Sequence, residues 1–122
     1  MTIDAATLEA IRVIDTDSHV IEPYDLWTSR VSVKRWGDKV PHVVSGAGPF
    51  YDVEDIWVSG DKRLVAAGMS GSAGHDKPYP DHPKRWSDLQ PETWRAEDRL
   101  AMMTRYGIYA AVLYPNVAGF GA

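Results

Sequence analysis

The sequence predicts an α/β fold built on a parallel sheet, and three stretches carry that prediction. IRVIDTD (11–17) reads as a strand, PETWRAEDRLAMMTRYG (91–107) as the strongest helix, and IYAAVLYP (108–115) as an apolar, buried strand. A strand, a helix, a single glycine turn and a second apolar strand are the parts of a βαβ crossover. Parallel strands of this kind read as near-continuous apolar runs because both faces of the sheet are covered.

Each element has a local reason. DAATLEA (4–10) predicts a short helix with Asp4 as its N-cap. In the first strand, Ile11, Val13, Asp15, Asp17 and His19 fall on one face by simple alternation, so that face turns from apolar to ionisable as the strand proceeds. Such a gradient suits a parallel strand whose C-terminal end opens into a site. EPYDLWTSR predicts a helical turn with Pro23 at its first position. SVKRWGDKV predicts another, with Ser32 as cap and Gly37 as stop.

DIWVSGDKRLVAA predicts a hairpin, with Asp55–Val58 and Arg63–Ala66 flanking the turn SGDK. GMSGSAGHDKPYPDHPKRW, rich in Gly, Pro and Asp, reads as a long loop. The last helix has Pro91 near its start, Gly107 at its stop, and Ala96, Leu100 and Met103 as its inner stripe. Residues 31–87 have little periodicity to constrain them.

The totals narrow the function. The chain has 122 residues, 44% of them hydrophobic and 25% charged, enough for one modest core. A net charge of −4 argues against nucleic acid and anionic membrane surfaces, which reward a basic face. With no cysteine, any metal must take nitrogen or oxygen ligands. No apolar run approaches the roughly 20 residues needed to span a bilayer, and MTIDAATLEAIR lacks the pattern of a secretory signal, so a cytoplasmic location is expected. Five tryptophans and six tyrosines cluster mostly in the poorly periodic middle, where packing of a small irregular core is the simplest role.

The chemistry concentrates in IDTDSHVIEP (14–23). Alternate strand residues have Cα atoms about 6.5 Å apart, so Asp17 and His19 can converge on one cation. Ligand distances there are about 2.0–2.2 Å. Asp15, one pleat deeper, can orient such ligands. The plainer reading of the spacing is a solvated strand end with His19 paired to Asp17. Elsewhere, GMSGSAGHDK lacks the G-K-[ST] ending of a phosphate loop, and His75, Asp76, Asp81 and His82 could take up a metal adventitiously, with a solvated loop the plainer reading. His42 reads as a surface histidine; Arg99 can brace the inserted loop or meet a carboxylate, with a solvated side chain the plainer reading. No nucleophile motif is present.

D-x-D-x-H at the end of a first strand resembles the amidohydrolase superfamily, in which that strand ends in H-x-H. The likeness is greatest to amidohydrolase family 2, the branch related to aminocarboxymuconate-semialdehyde decarboxylase. IDTDSHVIEPYDLW resembles its first strand and exit, DIWVSGDKRLVAAG its inserted hairpin, and EDRLAMMTRYGIYAAVLYPN its first helix and second strand. The resemblance runs from about Val13 to Val117.

It implies the N-terminal fragment of a (β/α)8 TIM barrel, strands one and two with helix one, spanning 1–122 with an insertion at about 22–90. It makes Asp17 and His19 the first two ligands of a divalent metal, zinc or manganese, with Asp15 and Glu22 as supporting residues behind them. The implied activity is that of a hydrolase, hydratase or non-oxidative decarboxylase acting on a small carboxylic acid. Two departures stand out: Met102 and Met103 fall where acidic residues are usual, and the family's remaining ligands come from strands five, six and eight. The isolated chain is therefore expected to be inactive. The alternative, of a different class, is a small interaction protein that completes its sheet by homo-oligomerisation or by docking a partner chain.

Overall fold

The computed structural model describes residues 4, 7, 10–50, 53–68, 71–78 and 80–117. The chain is mixed α/β. Among the described residues five strands, β1 (Val13–Val20), β2 (His42–Phe50), β3 (Val53–Ser59), β4 (Lys62–Ala66) and β5 (Ile108–Pro115), form two sheets: β1 and β5 pair in parallel, and β2–β3–β4 make an antiparallel sheet. Helix α1 (Val33–Trp36) is a single turn, and α2 (Ala96–Arg105) connects towards β5.

Local signals placed several elements as expected. Asp4 Oδ1 accepts from the Thr7 N–H at 2.8 Å, and Thr7 and Ala10 are helical; the residues between them lie outside the described set. Ser32 Oγ accepts from the Arg35 N–H at 3.3 Å to cap α1, and Gly37 ends it at φ 57°. The hairpin closes more tightly than SGDK suggests: Ser59 pairs with Lys62, leaving a two-residue loop that begins with Gly60 at φ 59°. EPYDLWTSR forms successive turns, with Leu26 N–H on the Pro23 carbonyl and Val31 N–H on the Trp27 carbonyl, and no continuous helix.

The last helix starts later than its sequence pattern. Pro91–Thr93 is a separate 3-10 turn, Trp94 departs from helical backbone at φ −136°, and α2 begins at Ala96. The cause is long-range. The Thr93 carbonyl turns to accept the Ile21 N–H at 3.0 Å, which commits this backbone to the exit of β1.

The core sits elsewhere than expected. Among the described residues, Ile21, Val40, Ile56, Trp57, Ala66, Ala67 and Leu89 are the buried apolar ones, and they belong to the antiparallel sheet and the segments around it. Ile56 and Trp57 are neighbours on β3 and both inaccessible, so both faces of that strand are covered there. Trp27 meets Trp57 edge-on at 5.1 Å, an arrangement aromatic quadrupoles favour. By contrast, β1, α2 and β5 contain no buried residue.

This corrects two expectations. IYAAVLYP is a strand but not a buried one: Tyr109 is 62% exposed. The stripe of α2 is not internal either; Leu100 is 64% exposed, and Ala96, Leu100 and Met103 line an open groove with Val20, Trp94 and Leu113. The physical reason is shared. A two-stranded parallel sheet gives α2 little to pack against and leaves its second face uncovered.

Candidate functional site

The parallel register places the C-terminal ends of β1 and β5 side by side. His19 is opposite Tyr114 and Val20 opposite Pro115, with the His19 and Tyr114 rings 5.9 Å apart. Asp17 and His19 are both exposed near this end.

The strand leading to them is not regular. Asp15 pairs with Ala111 and Ser18 with Leu113, so β1 holds one more residue than β5 over that interval. The extra residue is a bulge, and it breaks the alternation that the sequence pattern assumes. Asp15 is therefore not simply one pleat behind Asp17. Its carboxylate folds onto the local backbone, accepting from the Asp17 N–H at 3.0 Å and from the Ser18 hydroxyl at 2.6 Å. The Ser18 hydroxyl first, and the Asp17 N–H second, hold the Asp15 carboxyl below the usual aspartate range, because both donate to its charged form. Asp15 thus grips the backbone of Asp17.

Glu22 sits just past the strand and is only 7% exposed. Its Oε1 accepts from two successive backbone N–H groups, those of Asn116 and Val117, each at 3.0 Å. A carboxylate holding two amides clamps the exit of β5 to the exit of β1. Its Oε2 is buried and has no hydrogen-bond partner among the described residues.

Two further side chains brace this end. Arg99 donates from Nη2 to the His19 carbonyl at 2.7 Å and to the Thr93 carbonyl at 3.3 Å, so it is engaged rather than solvated. Trp86 donates its indole N–H to the Glu22 carbonyl at 3.2 Å and its backbone N–H to Asp55 Oδ2 at 2.8 Å. It thereby links the strand exit to the antiparallel sheet. Neither role has a sequence signature, since the acceptors lie 80 and 64 residues away.

The other histidines divide. His42, the first residue of β2, is half-buried and donates from Nδ1 to the Val40 carbonyl at 2.8 Å, so it is only partly the surface histidine expected. His75 donates from Nε2 to Asp81 at 2.7 Å, and that bond is the main cause holding the Asp81 carboxyl below its usual range.

As metal ligands, Asp17 and His19 offer an oxygen and a nitrogen donor, the set that suits zinc or manganese. Among the described residues, no group of three or more His, Asp or Glu side chains is placed to hold a metal ion. The pair fits as part of a site and is not a site alone. No helix among the described residues is long and apolar enough to cross a membrane. No family model, no curated protein and no solved structure matches the chain.

Proposed function

We propose that this chain carries the first-strand portion of an active site in a metal-dependent, amidohydrolase-type enzyme that acts on a small carboxylic acid. In this reading the β1–α2–β5 unit is the start of a (β/α)8 barrel, and residues 22–90 are an insertion in it. The observation that carries the reading is the exposure of Asp17 and His19 at the C-terminal end of a parallel strand, the end where barrel enzymes keep their chemistry. The grip of Asp15 on the Asp17 backbone and the Glu22 clamp between the two strand exits support it, because ligands of a metal need such fixing.

Asp17 and His19 would hold zinc or manganese. Such an ion, when bound, polarises a carbonyl or carboxylate oxygen and lowers the pKa of water. Hydrolysis, hydration and non-oxidative decarboxylation are all within its reach. The uncovered faces of β1, α2 and β5 fit a unit whose remaining cover and ligands come from elsewhere. The 122-residue chain alone should show no turnover of aromatic or unsaturated carboxylic acids with Zn2+ or Mn2+ present. Robust turnover abolished by Asp17→Asn would contradict this.

A second reading rests on those same open faces: a small interaction protein that completes its sheet by self-association or on a partner chain. Ile14, Leu100 and Tyr109 are 57%, 64% and 62% exposed. Sedimentation over a concentration series separates the readings. Assembly that buries these residues without any metal dependence favours the second.

A further inference from the structure

A cavity of about 640 Å3 lies beside the strand exit, lined by Tyr24, Ser45, Asp55, Arg85, Trp86 and Ser87 among others. Its size falls within the roughly 300–1,000 Å3 typical of small-molecule pockets. We propose that it binds a small organic ammonium ion, with the charge on Asp55 and the apolar body of the ligand against Tyr24 and Trp86.

Asp55 sets the sign of the site. It is only 7% exposed, yet its carboxylate takes a single hydrogen bond, from the Trp86 N–H to Oδ2 at 2.8 Å. It forms no ion pair among the described residues. A buried charge without a counter-charge is costly. An ammonium ion entering the cavity supplies that counter-charge and an N–H for Oδ1, whereas an anion is repelled. Arg85 borders the same space without reversing its sign. It is exposed and engaged in an interaction of its own, so solvent screens it more than it screens Asp55.

The aromatic wall suits the same ligand. Trp86 is held by both of its N–H groups, one on the Glu22 carbonyl and one on Asp55. Its ring is flanked by Trp94 at 4.6 Å and by Tyr24, edge-on, at 5.3 Å. A ring fixed in this way loses little freedom on meeting a ligand. Aromatic rings attract a cation within about 6 Å of their centroids, and Tyr24, 58% exposed, has much of its surface available. Hydroxyls complete the lining. A primary ammonium carries three N–H donors, and Ser45 and Ser87 are acceptors for those that Asp55 does not take. Ser87 Oγ donates to Asp88 at 3.4 Å, which leaves its lone pairs for the ligand.

This ligand is opposite in charge to the carboxylic acid of the proposed reaction, and none of the residues that hold it is a proposed metal ligand. The two readings therefore stand or fall separately.

The test is calorimetric titration of the 122-residue chain with benzylamine, protonated at neutral pH, in the presence of a chelator. Saturable binding is expected, with the neutral isostere benzyl alcohol weaker by about tenfold, the loss of a hydrogen bond between charged groups. Asp55→Asn keeps an oxygen for the Trp86 N–H and removes the charge; it should weaken benzylamine by about tenfold and leave benzyl alcohol unchanged. Tyr24→Ala, at an exposed position, should weaken benzylamine by about threefold. Far-UV circular dichroism verifies that each variant is folded, and Tyr24→Ala keeps the test decisive if Asp55→Asn does not fold. Absence of saturation at millimolar benzylamine, the same Kd in the parent and the folded variants, or benzoate binding as tightly as benzylamine would overturn the proposal. Tighter binding of Nα-acetyl-lysine amide than of benzylamine would overturn the assignment to a free amine in favour of a lysine side chain.

Discussion

Arg99 offers the sharpest check on how the candidate site is held. Its Nη2 donates to the His19 carbonyl at 2.7 Å and the Thr93 carbonyl at 3.3 Å, joining α2 to the end of β1. Replacing it by Met keeps the apolar stem beside Val20 and Leu113 but removes the guanidinium. A hydrogen bond from a charged donor contributes about 1.5–3 kcal/mol when well buried. Here the first bond is exposed and the second is long, so solvent screening reduces their joint effect to about 1–2 kcal/mol.

With a urea m-value of about 2 kcal/mol/M, the Arg99→Met midpoint should fall by about 0.5–1 M. Lysine keeps the charge but not the fork, so Arg99→Lys should lie between Met and the parent. The loss should also be local. The Ile21 amide, bonded to Thr93, should exchange with solvent about 5–30-fold faster in Arg99→Met. A midpoint equal to that of the parent, with Ile21 protection unchanged, would show that Arg99 is solvated and that the bracing does not exist.

Two other outcomes follow from the same end of the sheet. Glu22→Ala strips the acceptor from two half-buried amides and should cost about 1–3 kcal/mol in urea unfolding, whereas Glu22→Gln, which keeps one carbonyl oxygen, should stay within about 1 kcal/mol of the parent. Equal losses in both variants would contradict the clamp. Asp15 has its carboxyl held low in the folded state, so its contribution to stability is present above the ordinary aspartate value and disappears as pH falls through the lowered one. Ser18→Ala removes the largest cause of that lowering. Its melting temperature should trail the parent at neutral pH, and the gap should close on acidification; a gap independent of pH would refute the assignment.

What could be read from the sequence was what local chemistry decides. Ser32 and Gly37 bracket α1 because a hydroxyl cap and a left-handed stop act within a few residues. The β3–β4 hairpin was legible for the same reason, with Gly60 starting its two-residue loop. Pairing at a distance was not. PHVVSGAGPF contains the whole of β2, yet its glycines and proline mask a strand that only β3 justifies.

The candidate site divides along the same line. Asp17 and His19 were visible as a pair at a strand end, but the bulge beneath them depends on register with Ala111 and Leu113 and has no signature in IDTDSH. Arg99 on a backbone carbonyl, and the buried Asp55, leave no pattern either. IYAAVLYP taught the reverse lesson. Its apolar run reads as burial, but burial requires a neighbour on each face, and among the described residues β5 pairs with β1 alone and has α2 nearby.

The central claim is that Asp17 and His19 are metal ligands, and paramagnetic broadening by Mn2+ tests it most directly. In amide NMR spectra of the chain, the weak Mn2+ binding expected of two ligands is enough for paramagnetic broadening, so substoichiometric Mn2+ should broaden Asp17, Ser18 and His19 first, with Tyr114 next because its ring lies 5.9 Å from that of His19. Asp17→Asn should abolish the effect. Broadening centred instead on His75, Asp81 and His82, or spread evenly over the acidic surface, would contradict the claim and leave the end of β1 without a metal.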